Sequence, residues 1–184
     1  MSMGKSFNFM NRGFTLIELI VSVAIMAIIT TLGVMTFLDF GQGRKLKNDS
    51  SALVAKISEL KIKAFAGHQI DGTLPKAFGL IAQKSSPNEY LVYADNDGDC
   101  QYGAGDVLIE KIALSKGIYF SYMPDIGRGI CFQTGKTVKN ICVPDGSCGK
   151  SGNYNILLSA PNNSSLYSLD IELSSGTVRV RKIF

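Results

Sequence analysis

The sequence predicts an α+β chain: one long N-terminal helix followed by an antiparallel β-rich head. Residues 14–38 form an apolar run with a single charge, Glu18, and no proline. Beyond them the apolar residues keep helical spacing as far as Ala64. From Leu74 onward the apolar period is two, with Gly, Asn, Asp and Pro between the runs. With 46% hydrophobic and 18% charged residues among 184, a disordered chain is excluded. The net charge of +4 includes Lys5 and Arg12 ahead of the apolar run, so the rest carries little charge with which to attract a partner.

The 25 residues of the apolar run would make a helix about 37 Å long, against a bilayer core of roughly 30 Å. A single membrane span is therefore expected over 14–38, which excludes a purely soluble protein and a polytopic transporter. Lys5 and Arg12 place the preceding segment in the cytoplasm by the positive-inside rule; Arg44, Lys45 and Lys47, beyond the other end, oppose it. A cleaved secretory signal is not expected, because the run is longer than a signal core and has poor cleavage sites after it.

Residues 39–68 read as the amphipathic continuation of the helix. Leu46, Leu53, Ile57, Leu60 and Ala64 step by 7, 4, 3 and 4 along one stripe, with Lys56, Glu59, Lys61 and Lys63 mostly off it. Gly41 and Gly43 mark where the helix is expected to curve or melt, and Gly67, followed by Asp71 and Gly72, where it ends. In the head, 69–184, short strands are expected at 91–94, 107–114, 118–122, 130–132, 138–143, 154–159 and 166–173. The last hairpin is the clearest: Tyr167, Leu169, Ile171 and Leu173 alternate with Ser168, Asp170 and Glu172, and after a turn at Gly176, Val178 and Val180 alternate with Arg179 and Arg181.

Arg12-Gly13-Phe14-Thr15-Leu16-Ile17-Glu18-Leu19-Ile20-Val21 resembles the type IV prepilin processing motif. The resemblance implies a leader, residues 1–13, that a prepilin peptidase removes between Gly13 and Phe14 before Phe14 is N-methylated. It also implies that Glu18 meets the new ammonium of Phe14, on its own or a neighbouring subunit, and so registers packing. The alternative is a carboxylate that snorkels to the interface. A long helix laid on an antiparallel sheet resembles the type IV pilin fold. Two stretches, 90–99 with Gly105-Asp106-Val107-Leu108, and Gly176-Thr177-Val178-Arg179-Val180, look like the group of FimT-like minor pilins and H-type pseudopilins of type II secretion.

The resemblance further implies a minor pilin or pseudopilin that assembles with other pilins into a helical filament, through an inner-membrane assembly platform. Such a chain is a single-pass protein of the bacterial inner membrane, leader inside and head outside, before it enters a periplasmic or extracellular filament. Pilus assembly, protein secretion and DNA uptake all remain open, as does a major-pilin role.

Four cysteines, Cys100, Cys131, Cys142 and Cys148, lie in the head. An even count in an exported segment points to two disulfides, with free buried thiols as the alternative. Three pairings are open; Cys131 and Cys142 lie on adjacent apolar runs, where a cross-strand bridge is plausible and would leave Cys100 with Cys148. Asp95, Asp97, Asp99 and Asp106 have the 1, 3, 5, 12 spacing of a calcium loop, but Cys100 stands at the sixth position and Asp106, not Glu, at the twelfth. An ordinary acidic turn is the alternative. Arg179, Arg181 and Lys182 form a basic C-terminal strand; FimT-like minor pilins contact DNA through such a stretch, whereas surface pairing with Asp170 and Glu172 is the plainer account. With one imidazole, His68, and no nucleophile or zinc motif, no enzyme is expected, nor any cofactor besides calcium.

Overall fold

The computed structural model describes residues 15–83, 85–122, 130–135, 141–142, 153–161, 165–173 and 175–183; of residues 32–40, 141 and 142 it describes the backbone alone. Two compact units result, 1–39 and 40–184. A 50-residue helix, α1, spans Leu16–Phe65. In the first unit its side chains as far as Thr31 are exposed, among them Leu16, Ile20, Met26 and Ile29. Among the described residues no helix is long and apolar enough to cross a membrane. Side chains 32–38 of the expected span lie outside them.

In the second unit the stripe of Leu46, Leu53, Ile57, Leu60 and Ala64 is buried. The helix runs through Gly41 and Gly43 without a break, where the amino-acid pattern places a weak point. It ends at a Schellman cap. Gly67, at φ +63°, donates to Ala64 O, and the His68 N–H donates to Lys63 O. His68 itself is exposed, its ring 6.4 Å from that of Phe78.

Among the described residues nine strands follow: β1 Ala77–Gln83, β2 Ser86–Asp95, β3 Val107–Ala113, β4 Tyr119–Tyr122, β5 Ile130–Gln133, β6 Ile141–Cys142, β7 Asn153–Ser159, β8 Leu166–Glu172 and β9 Thr177–Lys182. Their pairing is antiparallel, but they form two sheets where the sequence suggests one. The first has the order β3-β2-β1-β5-β6 and the second β4-β7-β8-β9. The expected strands also omit β1, the middle strand of the first sheet. Its residues are buried as far as Ala82, so both faces are apolar and the alternation that marks a half-exposed strand is absent. Of the expected strand at 138–143, only Ile141 and Cys142 lie among the described residues.

One core joins the helix stripe to Phe78, Leu80 and Val92 of the first sheet and to Ile156, Leu158, Leu169 and Ile171 of the second. Tyr90 closes it edge-on to Phe120, ring centroids 6.2 Å apart, and burial pushes its phenol up to about 12. On the opposite face of the first sheet, Gly79 stands directly across from Tyr93. A Cβ on Gly79 would lie 2.3 Å from Tyr93 Cζ, so the ring occupies the place of the missing side chain.

Polar ties fix the second half of the helix to the head. Both Asp49 carboxylate oxygens accept from Ser115, at 2.8 and 3.0 Å. Lys61 Nζ donates to Ser175 O at 2.9 Å. Lys56 bridges Glu59 and Glu110, at 2.8 and 2.9 Å, and Lys63 joins Glu59 at 2.7 Å.

Candidate functional site

Gly13 and Phe14, the expected cleavage and methylation sites, lie outside the described residues. The chain just after them is organised as a helix start. Thr15 Oγ1 accepts the Glu18 N–H at 3.3 Å, and Thr15 O accepts the Leu19 N–H. Thr15 is thus the N-cap and Glu18 the third helical residue, the T-x-x-E arrangement of a capping box. The same four letters could have been read as a cap from the sequence. There Glu18 is exposed, with its carboxylate at the positive end of the helix dipole. The hydroxyls that interrupt the apolar run turn inward. Ser22 donates to Glu18 O at 2.7 Å, Thr30 to Met26 O, and Thr31 to Ala27 O at 2.8 Å.

In the head, the acidic loop is built from its own carboxylates. Asp95, fully buried at the end of β2, accepts the N–H of Gly98 at Oδ1 and of Cys100 at Oδ2. Burial pushes its carboxyl above the usual range, and those two donors oppose the shift. Asp97 accepts from the Asp99 N–H, which holds its carboxyl below the usual range. Asp99 accepts from Gln101, and Asp106 from both Asn96 and Gly103. The oxygens of Asp95, Asp97 and Asp99 lie within 4.8 Å of one another; among the described residues Asp106 does not join this group.

The expected pairing of Cys131 with Cys142 is corrected. Cys131 and Cys142 do face each other across β5 and β6, but Cys131 is bonded to Cys100, with Cα atoms 5.6 Å apart. The cause lies in the loop. Asp95 draws the Cys100 N–H back onto the sheet, with Cys100 at φ +61°, and so sets it beside Ala77 and Cys131. Pairing of Cys100 with Cys148 falls with it; Cys148 lies outside the described residues.

The basic C-terminal strand is met by acid. Arg181 Nε and Nη2 lie 2.6 and 2.5 Å from Asp170 Oδ2, and the Ser168 hydroxyl donates to Asp170 Oδ1. Arg179 stands opposite Asp170 in the register, and Thr177 opposite Glu172. Lys182 is exposed on the other face of β9, two residues from Val180. A depression of about 390 Å3 lies over Asn153, Asp170, Glu172, Thr177, Arg179 and Arg181.

No curated protein and no solved structure matches the chain. Residues 8–34 match the family described as the prokaryotic N-terminal methylation motif. That match spans the cleavage site expected at Gly13 and the Thr15 cap, and it falls on the ten residues that resemble the prepilin motif. The chain thus carries a prokaryotic N-terminal methylation motif over residues 8–34.

Proposed function

We propose that the protein is a structural filament subunit, a minor pilin or pseudopilin with the type IV pilin fold. The observation that carries this reading is the methylation motif at 8–34, placed at the start of a capped 50-residue helix. Prepilin peptidase removes residues 1–13, leaving the new ammonium of Phe14 to be methylated. The apolar run 14–38 holds the chain in the bacterial inner membrane, leader inside and head outside, until a platform protein draws it into a filament. Glu18 then compensates the Phe14 ammonium of its own or a neighbouring chain. An unpaired carboxylate would cost roughly 2.5–3.5 kcal/mol if it lay deep in the bilayer.

The α+β head, with its last hairpin, fits the FimT-like and H-type group. We assign no catalysis to it. The acidic loop has a structural role in this reading, because each of its four carboxylates accepts a backbone N–H. The DNA-uptake variant has little support in the C-terminal strand. Arg181 is taken up by Asp170, which leaves Arg179 and Lys182 on opposite faces.

The test is processing in cells that carry a prepilin peptidase. Wild-type protein should run at the mature mass and yield N-methylphenylalanine at its N-terminus, and Gly13→Arg should accumulate as membrane-bound precursor. Mature-sized Gly13→Arg protein overturns the proposal.

A further inference from the structure

We propose that the outer face of β7, β8 and β9 is a binding site for a neutral oligosaccharide. The register puts Asn155, Asp170 and Arg179 in one cross-strand row, with Asn153 and Glu172 in the next. Rows of this kind offer planar amide, carboxylate and guanidinium groups about 4.8 Å apart across strands and roughly 6.8 Å apart along them. Donors and acceptors therefore alternate over the sheet face, an arrangement suited to hydroxyl groups, each of which both donates and accepts.

The patch is also hollowed. Its depression of about 390 Å3 falls within the size range of ligand sites, but its lining is polar where most such sites are apolar. Its floor is preorganised. Asp170, with 9% exposure, is held at one oxygen by Arg181 and at the other by Ser168, while Asn153, Asn155 and Arg179 stay exposed above it. The charges balance, with Asp170 and Glu172 against Arg179 and Arg181, so the face carries no net field for a polyanion or a polycation. At the far side of the adjoining row Tyr122, 51% exposed, stands across from Leu157 and offers a ring for the C–H face of a sugar.

The site depends on the head alone, so it stands or falls separately from the filament reading. The experiment is saturation-transfer NMR on the full chain in phosphocholine micelles, which contain no sugar. The probes are chitohexaose, cellohexaose and maltohexaose. Transfer to at least one of them is expected, with affinity on the order of millimolar. Arg179→Ala and Asn155→Ala, both at exposed positions, should each weaken it about tenfold. Lys182→Ala, on the opposite face of the same strand, should leave it unchanged. No transfer to any of the three, equal weakening by Lys182→Ala, or displacement of the sugar by a DNA oligonucleotide overturns the proposal.

Discussion

Gly79 and Tyr93 show how much can rest on one missing side chain. Tyr93 is fully buried on β2, and its ring fills the space above Gly79 on β1. Gly79→Ala would put a methyl carbon 2.3 Å from Tyr93 Cζ, and the ring is fully buried. We expect the substitution to destabilise the head by about 1–3 kcal/mol, the usual cost of overpacking, read from denaturant unfolding. An unchanged midpoint would show that the ring moves aside freely. A lone glycine within a strand signals only that something approaches closely, and the partner, 14 residues away, is invisible before the register is known. Thr15 is the opposite case. Its capping role needs only Glu18, three residues on, and was legible without any fold.

Helix α1 carries its charges in a local chain, Lys56–Glu59–Lys63, with Glu110 joined from β3. Hydrogen bonds from Lys56 and then Lys63 hold the Glu59 carboxyl down to about 2, whereas in the unfolded chain it titrates near 4.3. Between those values the folded state binds fewer protons. The contribution of Glu59 is therefore present above about pH 4.3 and is lost as pH falls through about 2. Its side chain is 42% exposed, so screening limits the effect to about 0–1 kcal/mol. The melting temperatures of wild type and Glu59→Gln should differ at pH 5 and converge toward pH 2; a constant gap would refute this. The buried stripe beside these charges was plain in the sequence, because amphipathic spacing survives wherever one side faces water. β1 was not, since burial on both faces erases that contrast.

At the scale of the whole head, the Cys100–Cys131 bond closes a loop across 31 residues and ties the acidic turn to β5. In the chain-entropy account such a loop is worth about 3.5 kcal/mol. The Cys100→Ala/Cys131→Ala variant should lose about that much stability in non-reducing chemical denaturation, and equal stability would deny the bond its role. The pairing was not legible. Strand adjacency correctly set Cys131 against Cys142, but the choice of Cys100 depends on a buried carboxylate, Asp95, folding the loop inward. The N-terminal motif was legible because its chemistry is written in consecutive residues, whereas the division into two sheets depends on pairings between distant ones.

The inward-turned hydroxyls of the first unit have a consequence for transfer between surroundings. Ser22, Thr30 and Thr31 already satisfy themselves on carbonyls of their own helix. Their donors therefore require no partner from lipid, water or another chain. When residues 16–31 exchange one neighbour for another, the change is almost purely the contact of hydrocarbon with hydrocarbon, which brings shape but no charge to set direction and register. Orientation must then come from the ends of the segment, and within 16–31 Glu18 is the one acidic or basic side chain that can tell one alignment from the next.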